Sequence, residues 1–290
     1  MNFKTFSTRI LTVFLCVFLA LGVSEKTVLG DSFKNVTLGG DLTQKQKDEM
    51  LKYFGVTRND ANIIEVNIDE ERKYLSNVAS KEQIGTKSIS CSYVEPKSDG
   101  GLKVSINNIT WVNESIIKNG LVTAGIENAD IKVSAPFKVS GTAALTGILK
   151  AFESSKGGEK ISEDKKKAAN QELITTGNLG QKIGQDKAAG LINEIKTEVV
   201  KDKPKDKEEV QKIVQNIVNN YNYNLSQEDI NKITSLMGKI NNLDLNFSEI
   251  KNQLNTISNQ LEKTLKSDEA RNLFQKILDA IAGFFSRIFN

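Results

Sequence analysis

Up to about residue 154 the chain mixes segments that alternate apolar and polar residues with segments whose apolar residues recur at helical spacing; beyond it only the helical spacing remains. Strands interleaved with helices build a sheet with helices packed on it, because each element has one apolar face to bury. The expected architecture is therefore an α+β or α/β domain over residues 31–155 followed by an all-α domain over residues 156–290. The polar, glycine-containing run Ser154-Ser155-Lys156-Gly157-Gly158-Glu159-Lys160 is the boundary.

Within the first part, Thr43-Gln44-Lys45-Gln46 has the form of a capping box and opens a helix that Gly55 should end. Asn62 to Ile68 alternates and is a strand candidate; Ile89 to Val94 and Leu102 to Ile109 are two more, and their short polar connection predicts a hairpin. Asn113 to Gly125 reads as a helix, Ile131 to Ala135 as a strand ended by Pro136, and Ser140 to Phe152 as a helix capped by Ser140. In the second part, Ala188, Leu191, Ile192, Ile195 and Val199 share one helical face, and Val210, Ile213, Val214, Ile217, Val218 and Tyr221 share the next. Two near-heptad runs follow, Ile230 to Ile240 and Phe247 to Leu261. The break at Asn241 to Asp244 predicts an antiparallel pair.

The N-terminus has Lys4 and Arg9 ahead of an uncharged apolar run, Ile10 to Val23, closed by Glu25 and Lys26. This is the pattern of a secretory signal peptide, and the apolar run is shorter than the roughly 20 residues that span a bilayer. Cleavage is expected near Gly30–Asp31, making residues 1–30 the signal peptide. Loss of three positive charges and one negative lowers the formal charge from +3 to +1. Basic and acidic residues alternate along the remainder, so no concentrated basic face for nucleic acid is expected. Only Cys91 remains after cleavage, which excludes an intramolecular disulfide. The chain has no histidine, which removes Ser-His-Asp and Cys-His catalysis and histidine-ligated zinc.

Four features bear on chemistry. A strand, loop and helix start at Ser140, Gly141 and Thr142 would aim backbone amides at an anion, yet no P-loop or dinucleotide pattern is present and close helix–sheet packing explains the small residues equally. Ser115-Ile116-Ile117-Lys118 has the Ser-x-x-Lys spacing of serine acyl transferases without their Lys-Thr-Gly. Asp41 and the run Asp69-Glu70-Glu71 supply carboxylates for acid–base work, or lie solvated near helix starts. Trp111, Tyr53, Tyr74 and Tyr93 could stack on sugars or serve as core.

The last helix, capped by Ser267, is different in kind. Phe274, Ile277, Leu278, Ile281, Phe284, Phe285, Ile288 and Phe289 make a broad apolar face opposite Arg271, Lys276, Asp279 and Arg287. It suits a membrane interface, a partner protein or a second copy of the chain, and is too short and charged to span.

The string Val36-Thr37-Leu38-Gly39-Gly40-Asp41-Leu42-Thr43 with Met50 to Val56, and the string Leu121 to Ile126 continuing to Ala135-Pro136-Phe137-Lys138-Val139-Ser140-Gly141-Thr142-Ala143-Ala144-Leu145-Thr146-Gly147, resemble the YpuA-like family of secreted proteins of Gram-positive bacteria. The resemblance covers most of the mature chain, more loosely in the helical half. It implies export and supplies no catalytic residue. The expectation is a secreted or loosely surface-associated, non-enzymatic protein that needs no cofactor or metal. Its expected partners are the cell wall, a membrane surface or another envelope protein, and a homo-oligomer could form through the C-terminal helices. The alternative is an extracellular polymer hydrolase using paired carboxylates, for which two carboxyl groups converging near the C-terminal ends of the strands would speak.

Overall fold

The computed structural model describes residues 34–142, 144–155, 158–221 and 223–264. Residues 1–30, read as a signal peptide, and the stretch from Phe274 to Phe289, read as an apolar helix face, lie outside the described residues.

Five described strands form one mixed sheet in the order β2-β1-β3-β5-β4: β1 Lys34–Gly39, β2 Ala61–Val66, β3 Cys91–Pro96, β4 Leu102–Ile109 and β5 Ala129–Val139. β1 pairs parallel with β2 and antiparallel with β3, β3 pairs antiparallel with β5, and β4 pairs parallel with β5. The carboxyl ends of β1, β2, β4 and β5 thus share one edge with the start of β3. Between strands come α1 Gln44–Phe54, α2 Ile68–Leu75, α3 Lys81–Ile84 and α4 Glu114–Ala124; α5 Ala144–Glu153 follows β5. The helices α6 Glu163–Ile183, α7 Gln185–Asp202, α8 Lys207–Asn220, α9 Gln227–Asn241 and α10 Phe247–Thr264 complete the described chain.

The local signals explain many of these ends. Thr43 Oγ1 accepts from the Gln46 amide while Gln46 Oε1 accepts from the Thr43 amide, and Gly55 closes α1 in the left-handed region at φ 73°. At α4 the Asn113 side chain accepts from the Ile116 amide at 2.9 Å, without a reciprocal bond, and Gly125 closes the helix at φ 84°. The apolar faces expected for α7 to α10 turn inward, with Ile195, Val214, Met237 and Leu254 at zero exposure and Ile213, Tyr221 and Ile230 half-buried at their margins.

Four expectations are corrected. β3 and β4 do not form a hairpin, because β5 lies between them. Asn128 holds the connection apart: its carbonyl accepts from Lys97 N at 3.1 Å, and its side-chain Oδ1 accepts from Gly101 N at 2.8 Å. Pro136 does not end β5. The β3 ladder has already stopped at Ser134, and the β4 ladder is irregular between Asn107 and Ile109, so proline's missing amide costs no ladder bond. Ser140 does not cap α5: Gly141, at φ 82°, separates it from the helix. Finally, α9 packs on α6, α7 and α8 whereas α10 packs on α4 and α7, so the two do not make an antiparallel pair. The connection between them is itself anchored, with Leu243 and Leu245 buried and Asn241 Nδ2 donating to Pro204 O at 2.7 Å.

One face of the sheet, carrying Val94, Val104, Ile131 and Val133, packs under α4 and α5, and the same apolar core continues into α6 to α10. The opposite face has a smaller core in which Met50, Leu51 and Phe54 of α1 cover Val36, Leu38, Cys91 and Tyr93. Trp111 belongs to the larger core at 8% exposure and packs against Gly177, as the core reading of that residue anticipated.

Candidate functional site

β2 ends where Asn67 takes over as the cap of α2, accepting from the amides of Asp69 and Glu70 at 3.0 Å while Glu70 Oε2 accepts from Asn67 N. The strand expected to reach Ile68 therefore stops two residues earlier. α2 places Ile68, Glu71 and Leu75 on one face, and this carries Glu71 inward to 1% exposure. A carboxyl expected on the surface is buried at the strand carboxyl ends.

Its partner is Ser88, on the segment entering β3. Ser88 Oγ donates to Glu71 Oε1, and Ser88 N donates to Asp41 Oδ2 at 2.7 Å. Asp41 N in turn donates to Ser88 O at 3.2 Å. Gly39 makes this approach possible, since a Cβ there would overlap the Ser88 carbonyl. Two carboxyl groups named from the sequence as unrelated candidates thus meet on one serine. Burial pushes the Glu71 carboxyl up to about 7; the Ser88 hydrogen bond opposes this, and the negative charge of Asp41 adds to it.

Glu71 forms part of a cleft of about 220 Å³ whose other walls include Gln83, Ile89, Ser90, Gly141 and Thr142. The three residues singled out after β5 reach it differently. Thr142 is buried and its hydroxyl donates to Gln83 O at 3.0 Å; Gly141 packs against Ile109; Ser140 is exposed, with its hydroxyl 3.4 Å from that of Thr142. A small polar cleft with one protonatable carboxyl can exchange a proton near neutral pH or bind a hydrogen-bonding group. Among the described residues, no group of three or more cysteine, aspartate or glutamate side chains could hold a metal ion.

Sequence reasoning missed Ser88 and the burial of Glu71. The helical spacing of Ile68, Glu71 and Leu75 was the available signal for the second. The Ser-x-x-Lys pair lies elsewhere: Ser115 and Lys118 are both buried on α4, and Lys118 lines a separate cleft at the opposite edge of the sheet.

The family described as "Protein of unknown function (DUF1002)" matches residues 38–257. The chain belongs to the DUF1002 family. It is also 40% identical over 257 residues to a protein of Bacillus subtilis (strain 168) described as "Uncharacterized protein YpuA", covering 88% of this chain and 87% of the relative. The DUF1002 match opens at Leu38, just before Gly39 and Asp41, and takes in Glu71, Ser88 and the Ser140–Thr142 loop. No solved structure matches the chain. Among the described residues of this DUF1002 protein, no helix is long and apolar enough to cross a membrane.

Proposed function

We propose that the chain is exported and acts at the cell envelope by binding rather than by turnover, with an anionic wall polymer as its first target. The observation that carries this reading is the half of the sheet face left uncovered beside α1. There Lys103, Ser105 and Asn107 of β4 and Lys132 of β5 are exposed and, by strand register, lie on one side. Lys132 Nζ sits 5.3 Å from the Tyr93 ring centroid, so its aliphatic stem lies along the sheet. Asp130 lies on the same side and pairs with Lys103 at 3.8 Å, and a flat, hydrogen-bonding surface with exposed lysines suits an extended polymer better than a small molecule. The leader pattern at residues 1–30 and the Bacillus relative support the location.

Co-sedimentation of the full chain with isolated cell-wall sacculi, and separately with anionic liposomes, tests it. Binding to sacculi that Lys103→Glu with Lys132→Glu abolishes would support the reading. Unchanged binding by that double variant would move the contact to another surface, and failure to bind either material would end the envelope proposal. Liposome binding lost on truncation after Ser267 would assign the membrane contact to the terminal apolar face.

A second reading is favoured by one specific observation, the meeting of Asp41 and Glu71 at the carboxyl ends of the strands. Glu71, holding its proton to about pH 7, has the character of a general acid in an extracellular hydrolase. Against it, the 220 Å³ cleft is smaller than the roughly 300–1,000 Å³ usual for ligand sites. Release of reducing ends from wall polysaccharide, lost in Glu71→Gln, would establish this reading over the first.

A further inference from the structure

Of the four aromatic residues that could stack on a sugar or fill the core, Trp111 and Tyr93 are buried and Tyr74 is half-buried, whereas Tyr53 is 47% exposed. Among the described residues, the other large apolar side chain so exposed is Phe137, further along β5. Tyr53 lies near the end of α1, which packs on Val36, Leu38, Cys91 and Tyr93 and reaches β5. Its direction follows from the helix. Lys47 pairs with Glu65 of β2 at 2.5 Å and Asp48 with Arg58, just ahead of β2, at 3.2 Å, so that flank of α1 faces β2. Tyr53 stands roughly 120–140° around the helix from both and overlooks the opposite flank, towards the uncovered strands β5 and β4.

The ring is continuous with that half of the sheet. Tyr53 packs edge-on against Phe54 at 5.5 Å, Phe54 lies 6.3 Å from Tyr93, and the Lys132 ammonium lies 5.3 Å from Tyr93. Tyr93, Lys132 and Ser105 are register partners across β3, β5 and β4. Within the described residues, neither the Lys132 ammonium nor the Ser105 hydroxyl forms a hydrogen bond or ion pair. In the next row, Asp130 makes only long ion pairs, 3.7 Å to Lys97 and 3.8 Å to Lys103, and its Oδ1 accepts no hydrogen bond. In the row beyond Lys132, Asn107 donates to Ser134 Oγ at 3.2 Å, which leaves its carbonyl oxygen to accept.

This mixture discriminates between polymers. A chain offering only anionic oxygens would satisfy Lys132 and meet repulsion at Asp130. A sugar offers hydroxyls that donate to Asp130 and Asn107 and accept from Ser105 and Lys132, together with an apolar ring face for Tyr53. Strands lie about 4.8 Å apart and same-face residues about 6.7 Å apart along a strand, so these groups form a grid that suits a chain laid across it.

We infer that the uncovered face binds an acidic polysaccharide, with one sugar ring stacked on Tyr53 and neighbouring sugars placing an acidic group on Lys132 and hydroxyls on Asp130, Ser105 and Asn107. This rests on the envelope reading of the same face and adds the chemical class of the polymer and the role of Tyr53.

The test is co-sedimentation of the full chain with isolated sacculi in the presence of three soluble competitors: a galacturonate hexamer, the same hexamer with its carboxylates reduced to alcohols, and polyphosphate of matching charge. The acidic hexamer is expected to displace the protein best. The reduced hexamer should be about tenfold less effective, for want of a charge-assisted hydrogen bond, and polyphosphate should also fall below the acidic hexamer. Tyr53→Ala should weaken binding to sacculi about two- to tenfold, while Tyr53→Trp should retain it, because the sugar needs a flat ring. Ser105→Glu, at an exposed strand position, should abolish binding and decides the matter if loss of the ring disturbs α1. Polyphosphate competing best, the reduced hexamer competing equally, no competition by either hexamer, or parental affinity in Tyr53→Ala or Ser105→Glu would each overturn the assignment. In those cases the envelope reading would still stand if Lys103→Glu with Lys132→Glu abolished sedimentation. Failure of the full chain to bind sacculi would end both.

Discussion

Lys196 Nζ lies 2.8 Å from Glu172 Oε1, and both side chains have zero exposure. The ammonium also donates to Asn119 O at 2.8 Å and lies 3.2 Å from Thr123 Oγ1, while Thr123 donates its own proton to Glu172 Oε2. One buried ion pair therefore ties α4, α6 and α7 together with its hydrogen-bonding capacity spent. Burial pulls the lysine below its ordinary pKa, and Glu172 opposes this.

Removing one partner leaves the other charge buried alone. Lys196→Met is expected to cost ~3–5 kcal/mol of unfolding free energy, whereas Lys196→Met combined with Glu172→Leu should recover most of that loss. Urea unfolding of the two variants beside the parent measures both. Equal destabilisation by the single and double changes would mean that packing, not charge, dominates this site.

Glu71 should make stability fall as pH rises. Its folded carboxyl is raised from 4.5 to about 7, so the folded state holds the proton more tightly than the unfolded chain. The contribution is complete below about pH 4.5 and is lost progressively up to about pH 7, amounting to ~3 kcal/mol. Asp41 and Glu70 reinforce the shift, while Arg72 and the Ser88 hydroxyl oppose it. Chemical denaturation across this range should show the slope in the parent and a flatter profile in Glu71→Gln. Parallel profiles would place the titration elsewhere.

Gly177 faces the only tryptophan. A Cβ at that position would stand 2.5 Å from Trp111 Cη2, and neither α6 nor the ring has room to retreat in a packed core. Gly177→Ala is expected to destabilise by ~1–3 kcal/mol through overpacking and to alter the tryptophan emission of the folded state. A variant with unchanged emission and midpoint would show that the ring repacks freely.

Asn67 caps α2 and so orients the helix that delivers Glu71. Asn67→Ala should cost ~1 kcal/mol by leaving the Asp69 and Glu70 amides without their acceptor. Thermal unfolding followed by circular dichroism measures it, and the Glu71-dependent pH slope should weaken in the same variant if the cap positions that carboxyl.

The helical half was legible because its apolar residues recur with a period set by backbone geometry alone. Val210, Val214 and Val218 fall on one face wherever that helix packs. The cap at Thr43 was similarly local, since its side-chain oxygen and the amide it satisfies lie within three residues. α2 was missed because alternation through Ile63 to Ile68 imitates a continuing strand, and α6 was obscured by its many buried polar residues. Asn170, Glu172 and Thr176 are polar, yet each is buried and finds a hydrogen-bonding partner inside.

The sequence by itself determined the change from mixed strands and helices to helices alone, the cap and the end of α1, the apolar faces of the later helices and membership of one family. Only the tertiary structure decided that β5 enters between β3 and β4, that Asp41 and Glu71 meet on Ser88, and that Lys196 finds Glu172 across 24 residues of chain. The division has a physical reason. Periodicity and capping depend on neighbours along the chain. Strand order and buried polar pairing depend on which distant groups compete for the same hydrogen bond once water has been excluded.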